Sequence, residues 1–152
     1  MIRGDVRTGV RLPVRRLDPA AQLPRYAQSG DAGLDLASVM DVEVGPGARA
    51  VIRTGVAVAI PEGFAGLVLP RSGLASREGL TLANSPGLID AGYRGEVTCA
   101  VVNLDRRSAV HIRAGDRIAQ LVMVPVATAE PEWTDQLTPS ERGERGFGST
   151  GR

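Results

Sequence analysis

The sequence predicts an all-β fold, and three observations carry that prediction. The 152 residues include 19 glycines and 10 prolines spread along the whole chain. Aliphatic and β-branched runs recur between these turn formers, which is the pattern of short strands separated by turns. No stretch sustains a 3.6-residue apolar period over the length of an ordinary helix. The chain is long enough for one domain with a real core. With 43% hydrophobic but only 3% aromatic residues, that core has to be built from Val, Ala, Leu and Ile.

Residues 1–24 form an arginine-bearing lead into the first strand, with Arg15, Arg16 and Arg25 expected to face solvent. The segment Asp31–Leu36 then runs DAGLDL into a strand. Val56, Val58 and Ile60 alternate with Ala57 and Ala59, giving a strand with one bulky and one small face. Further strands are expected over Phe64–Leu69, Val97–Val102 and Ile118–Val126. The last is apolar on both faces and needs cover on both sides, for which a subunit interface is a natural source. Turns are marked at Gly45-Pro46-Gly47, Pro61-Glu62-Gly63 and Ala114-Gly115-Asp116. One short helix is expected from Ser72, a favourable N-cap, to Glu78, with Gly79 as its stop. From Pro125 the chain turns polar, punctuated by Pro131, Trp133 and Pro139, and the stretch 142–152 is glycine-rich and free of aliphatic side chains. Such a tail buries too little to order itself alone.

Charge and composition narrow the function. All 18 basic residues are arginine, yet the net charge is only +1, so the basic footprint of a nucleic-acid binder is missing. The abundance of Arg, Ala and Gly points to a GC-rich, bacterial source. A lone Cys99, set in an apolar run, favours a reducing compartment and an inert core role. No signal peptide pattern is visible, and no apolar run approaches the roughly 20 residues of a membrane helix. A soluble cytoplasmic protein is expected. One histidine and one cysteine make neither a zinc set nor a Ser/His/Asp triad, and His111 is expected to be exposed or satisfied.

The most informative stretch is Gly87-Leu88-Ile89-Asp90-Ala91-Gly92-Tyr93-Arg94-Gly95. A single carboxylate sits among glycines, which admit a ligand close to the main chain. Asp90 could orient a water, and Tyr93 could wall a small flat substrate, in a pocket built on a β-hairpin. Pro70-Arg71-Ser72-Gly73 opens the short helix, where main-chain N–H groups, a guanidinium and a hydroxyl could meet an anion. Asp31 and Asp35 stand four apart, on one face if the segment is extended, and could hold a hydrated Mg²⁺ through its waters. Gln120 is a polar residue in an apolar run and needs a partner or a cleft. In the tail, Phe147 among glycines followed by Ser149 and Thr150 suits a phosphate-cradling loop with a stacking ring.

In order along the chain, DAGLDL at 31–36, PRSGLA at 70–75, GLIDAGYRGE at 87–96, GDRIAQL at 115–121 and RGERGFGSTG at 142–151 resemble the five motifs of the trimeric dUTPases. The resemblance implies a dUTPase-like β-sandwich, a distorted jelly roll over residues 1–128. It also implies a C-terminal arm over 129–152, exchanged within a homotrimer so that each site draws on all three subunits. The implied reaction is Mg²⁺-dependent hydrolysis of dUTP to dUMP and diphosphate. On the matching positions, Asp90 would orient and deprotonate the attacking water, and Asp35 would hold metal-bound waters or the arm. Arg71, Ser72, Gly73 and Gln120 would contact phosphates. Asn84, Leu88, Ile89 and Asp90 would read the uracil edge, and Tyr93 would pack against the deoxyribose. Thr98 lies at a family contact position. In the arm, Phe147 would stack on uracil, Arg142, Ser149 and Thr150 would hold the γ-phosphate, and Gly148 also belongs to the substrate-binding set. One departure stands out: Arg145 replaces a glycine of the arm motif, with strain expected if that position needs positive φ.

Two other readings share these residues. A dCTP deaminase of the same fold would carry a glutamate on the strand after Tyr93, where this chain has Ala100. A nucleotide-binding regulatory module without turnover would lack the water-orienting aspartate or the arm, and both are present.

Overall fold

The computed structural model describes residues 9–146. Ten strands and one helix follow in order: β1 (Val14–Arg16), β2 (Leu34–Ala37), β3 (Val42–Val44), β4 (Arg49–Val58), β5 (Phe64–Pro70), α1 (Ser72–Glu78), β6 (Leu80–Leu82), β7 (Gly87–Ile89), β8 (Glu96–Asn103), β9 (Val110–Ile112) and β10 (Arg117–Pro125). They build two four-stranded sheets, β1-β4-β8-β6 and β2-β10-β5-β7, with β3 and β9 as a separate pair. Every pairing is antiparallel. Ile52, Val97, Cys99 and Val101 of the first sheet and Leu36, Val68, Ile118 and Leu121 of the second belong to one buried cluster, so the sheets enclose a single core. The all-β sandwich expected from the sequence is the fold observed.

Strand β8 shows why the sequence folds this way. Val97, Cys99, Val101 and Asn103 point inward, while Thr98 is exposed and Ala100 and Val102 are half-buried, the two-residue period of a strand with one wet face. Asn103 is the polar member of the buried set, and it is fully satisfied. Its Nδ2 donates to the carbonyls of Val44 at 3.0 Å and Ser108 at 2.8 Å, and its Oδ1 accepts from the Asp105 N–H at 2.9 Å. Burial without such partners would be costly.

The expected strand at 56–60 is the end of a longer one. β4 begins at Arg49 and carries a register shift between Arg53 and Ala57. Gly55 occupies the shift with φ +69°, and a β-carbon there would press against Asp18, Ala21 and Val39. The carboxylate of Glu96 anchors this bulge, accepting from the Gly55 N–H at 2.8 Å and from Arg53 Nε at 3.1 Å.

The helix spans the expected residues, but its N-cap is Arg71, in extended conformation, and no side chain caps it. Ser72 is therefore the first helical residue. Gly79 ends the helix in the left-handed region (φ 68°), its N–H reaching the Ala75 carbonyl at 3.2 Å. The three turns form where expected, closed by Ala48 to Gly45, Phe64 to Pro61 and Asp116 to Arg113 backbone hydrogen bonds.

The expected hairpin at 87–95 is not one. β7 pairs with β5, whereas β8 pairs with β4 and β6, so residues 90–95 carry the chain from one sheet to the other. After β10 ends at Pro125, residues 126–146 form neither helix nor strand, and Trp133 and Leu137 are fully or largely exposed.

Candidate functional site

The crossing at 90–95 opens a cavity of about 160 Å³ at the edge of the sandwich. Asn84, Leu88, Ile89, Asp90, Tyr93 and Thr98 all line it, as six of the residues expected to bind substrate. Its floor comes from Val68, Val97 and Cys99, and burial pushes the Cys99 thiol up to about 12. The crossing is held by its own backbone: the Tyr93 N–H donates to the Asp90 carbonyl at 3.1 Å, and the Arg94 guanidinium donates to the Ala91 and Tyr93 carbonyls at 2.6 and 2.8 Å. The Tyr93 hydroxyl donates to the Glu96 carbonyl at 2.9 Å. Asp90 is exposed at the lip, and among the described residues its carboxylate has no hydrogen-bond or ion-pair partner. Glu96, the other acid lining the cavity, has both oxygens committed to the β4 bulge.

A second, broader cleft of about 430 Å³ collects Asp35, Arg71, Ser72, Gly73 and Gln120. Gln120 Nε2 donates to the Pro70 carbonyl at 3.0 Å, which lays its side chain across Gly33. A β-carbon on Gly33 would collide with the Gln120 Oε1, so a larger residue there would require that side chain to move. Arg71 donates from Nη1 to the Arg117 carbonyl at 3.1 Å, and its Nε lies 3.5 Å from Asp35 Oδ1.

The two cavities share no lining residue. Val68 lines the first and Leu69, its neighbour in β5, lines the second. Successive strand residues point to opposite faces. The first cavity is therefore walled by the inward-facing Val68, Gly87 and Ile89 of the β2-β10-β5-β7 sheet, with exposed Leu88 at its rim, and the second lies on that sheet's outer side. Gln120 and Leu121 of β10 repeat the division, one in the outer cleft and the other buried in the core.

Asp31 and Asp35 both line the outer cleft, Asp35 from β2 and Asp31 from the preceding turn, where its Oδ2 accepts the Gln28 N–H at 2.8 Å. Among the described residues no group of three or more His, Cys, Asp or Glu is placed to hold a metal ion. The donor set fits a hard cation carried mainly by phosphate oxygens and water, the usual habit of Mg²⁺. Arg142 lines neither cavity; its Nε donates to the Arg145 carbonyl at 3.0 Å and Arg145 Nε returns a bond to the Arg142 carbonyl at 2.9 Å. Phe147, Gly148, Ser149 and Thr150 lie outside the described residues. Ala100 lies on the outer face of β8 and is not part of the inner cavity's wall. His111 is exposed, with Nδ1 3.2 Å from Glu43 Oε2. Sequence reasoning passed over Glu96, Arg117, Gly33 and Gly95. The two glycines were visible inside their motifs, but the side chains that cover them were not.

A family model described as dUTPase matches residues 20–151. The deoxyuridine 5'-triphosphate nucleotidohydrolase of Thermobifida fusca is 54% identical over 142 residues, covering 93% of this chain and 79% of that protein. The protein of the same name from Mycobacterium tuberculosis is 52% identical over 145 residues, covering 92% and 94%. Among solved structures, the dUTPase of Staphylococcus bacteriophage 80alpha with dUPNHPP superposes with a TM-score of 0.88 at 36% identity, over 93% of this chain and 99% of that one. A mutant dUTPase from phage phi11 of S. aureus, described with a structural Mg(II) ion, gives a TM-score of 0.80 at 33% identity over 86% and 100%.

Proposed function

We infer that this chain, which belongs to the dUTPase family, hydrolyses dUTP to dUMP and diphosphate. The reaction keeps uracil out of DNA and supplies dUMP for dTMP synthesis. One observation carries the assignment of chemistry within the site: Asp90, alone among the acids at the inner cavity, presents a carboxylate without a partner among the described residues. It stands at the lip, where a nucleotide seated by its base would extend its phosphates.

The inner cavity takes uracil and deoxyribose. Asn84 and the backbone of Leu88 to Asp90 read the base edge, and Tyr93 packs on the sugar. Asp90 orients a water towards the α-phosphorus and accepts its proton as the new P–O bond forms and diphosphate leaves with the electrons of the broken bond. Arg71, Ser72, Gly73 and Gln120 hold the phosphate chain, with charge-assisted contacts from the guanidinium. Asp35, which lines the outer cleft, would hold Mg²⁺ through its waters, and the ion would neutralise charge that develops on the phosphate oxygens.

The two cavities face opposite sides of one sheet, which supports a site assembled from different copies of the chain in a homotrimer. Arm residues 129–152, including Arg142, Phe147, Gly148, Ser149 and Thr150, complete it, beyond a β domain that ends near residue 128. A cytoplasmic location follows from the nucleotide substrate and from a free, buried Cys99, which suits a reducing compartment. Among the described residues no helix is long and apolar enough to cross a membrane.

The test is diphosphate release from dUTP, dCTP, dTTP and UTP with Mg²⁺, for wild type and Asp90→Asn. Release from dUTP alone, lost on substitution, is expected. Ammonia from dCTP would move the chain to deamination. Tight dUTP binding with no turnover would make it a sensor.

A further inference from the structure

We propose that Glu96 is a positioning residue for sugar discrimination: its side chain clamps the β4 bulge and so fixes the main-chain carbonyl on which the Tyr93 hydroxyl rests. The Glu96 carboxylate is then a strand anchor, and not a second proton acceptor at the inner cavity. The proposal rests on the role given above to Tyr93 against the deoxyribose.

The start of β8 is held mainly by side chains. Arg53 of β4 is paired with Thr98 and Ala57 with Glu96, so Thr54, Gly55 and Val56 together oppose Val97 alone. The regular ladder is broken over that stretch. In its place the buried Thr54 hydroxyl donates to the Val97 carbonyl. The Glu96 side chain, 21% exposed, accepts the Gly55 N–H at 2.8 Å on Oε1 and Arg53 Nε at 3.1 Å on Oε2. The bulge is fixed on its other side as well. Arg53 Nη1 lies 3.5 Å from Asp18 Oδ2, and the Gly55 and Arg53 carbonyls accept the Leu17 and Val39 N–H groups at 2.7 and 3.0 Å. Glu96 lines the inner cavity, whereas Arg53, Thr54 and Gly55 do not. One residue thus carries the phenol on its main chain, at 2.9 Å, and the neighbouring strand on its side chain.

The physical consequence concerns how well a wall is placed. A neutral hydrogen bond positions the tyrosine ring only as well as its acceptor is itself positioned. The acceptor here belongs to the first residue of a strand, directly after the crossing at 90–95, where the main chain has few bonds of its own. Two charge-assisted contacts to the carboxylate, each stronger than a neutral bond, pin that residue. Excluding one extra hydroxyl from a sugar is a steric test that the wall has to meet to within about 0.5 Å. A ring whose far end drifts still packs on deoxyribose but no longer rejects ribose. Proton transfer is the poorer use of Glu96, because both of its oxygens already accept from donors in β4.

The experiment compares Glu96→Ala, Glu96→Gln and Arg53→Met with wild type, each also combined with Tyr93→Phe. Two readouts are taken: the ratio of kcat/KM for dUTP over UTP, and the ratio of calorimetric affinities for α,β-imido-dUTP over α,β-imido-UTP. Glu96→Ala is expected to lower both ratios about fivefold, the scale of the one neutral hydrogen bond it loosens. Glu96→Gln should lose less, since its amide oxygen still accepts the Gly55 N–H. Arg53→Met, outside the cavity, should shift the ratios in the same direction by a smaller factor. With Tyr93→Phe the link is already cut, so none of the three should lower the ratios further. Wild-type ratios in Glu96→Ala, or an undiminished further fall in the Tyr93→Phe background, would overturn the proposal. So would a Glu96→Gln enzyme that keeps the affinity ratio but loses turnover, which would make Glu96 a proton carrier. If Glu96→Ala fails to fold, Glu96→Gln and Arg53→Met in the two backgrounds still decide it. A wild type that prefers the deoxy analogue but releases no diphosphate would sink the hydrolase reading and leave this one standing.

Discussion

The phenol of Tyr93 bends back over Gly95 and donates to the Glu96 carbonyl at 2.9 Å, while a β-carbon on Gly95 would run into its ring and oxygen. The ring, which lines the inner cavity, is thereby fixed at its far end. Glu96 in turn is held by Gly55 and Arg53 of the neighbouring strand. In the proposed site, sugar discrimination would thus depend on a hydroxyl already committed to a backbone carbonyl.

Tyr93→Phe should therefore relax the preference for dUTP over UTP by roughly fivefold, the worth of one neutral hydrogen bond of ~1 kcal/mol. The ratio of kcat/KM for the two nucleotides checks it. An unchanged ratio would mean that packing alone holds the ring.

Gly33→Ala should destabilise the fold by up to about 1–3 kcal/mol through overpacking, because the new methyl meets the Gln120 side chain, which must give up its bond to the Pro70 carbonyl to move. Denaturant titration measures this. Adding Gln120→Ala should restore the stability without restoring the KM for dUTP.

Arg145 carries no backbone strain: no non-glycine residue among those described has positive φ. Instead Arg142 and Arg145 exchange guanidinium-to-carbonyl bonds across a tight turn that also includes a Gly143 N–H to Ser140 carbonyl bond at 3.1 Å. Arg145→Gly should loosen that turn and lower kcat/KM about fivefold, since glycine adds up to ~1 kcal/mol of freedom that closure must remove. Unchanged kinetics would show that the turn takes no part.

Cys99 gives a pH dependence with a definite sign. Its folded value of about 12 stands above the ordinary 9.0 because the thiolate would be desolvated in the core. The folded state therefore keeps the proton when the unfolded state has lost it. Stability is unaffected below the unfolded value and falls as pH rises from about 9 towards 12, by roughly 1.4 kcal/mol per unit from this group. Cys99→Ala should flatten that alkaline limb in urea titrations, at a cost in stability near neutrality.

Co-assembled Asp90→Asn and Arg71→Gln chains should regain activity that neither has alone. Some sites in a mixed trimer would take an intact inner cavity from one chain and an intact outer cleft from another. Activity no greater than the sum of the separate variants would argue for sites complete within each chain.

Much of this was legible in the sequence. Turn glycines, alternating aliphatic runs and the helix with its Gly79 stop are local properties, and local chemistry decides them. Six of the residues lining the inner cavity sit within one motif and its flanks, which is why the sequence points to them together. The mistaken hairpin shows where local reading ends. Whether Ile89 and Glu96 belong to one sheet or two depends on partners in β5 and β4, which lie far off in sequence. The same holds for Glu96, whose carboxylate looked like part of a substrate motif but serves a bulge some 40 residues earlier, at Gly55. Arg117 was passed over because a guanidinium at a turn says nothing of which carboxylate it will meet.

The crossing between the sheets also bears on how the chain matures. With β7 in one sheet and β8 in the other, the cavity has walls only after both sheets have formed and docked. A partly folded chain, even one with a complete sheet, offers a nucleotide half a socket. A nucleotide bound in this cavity would therefore report completed folding and would shift the equilibrium towards the finished sandwich. A deoxyuridine nucleotide would act on this chain as a folding ligand as well as a substrate, protecting most strongly those molecules closest to unfolding.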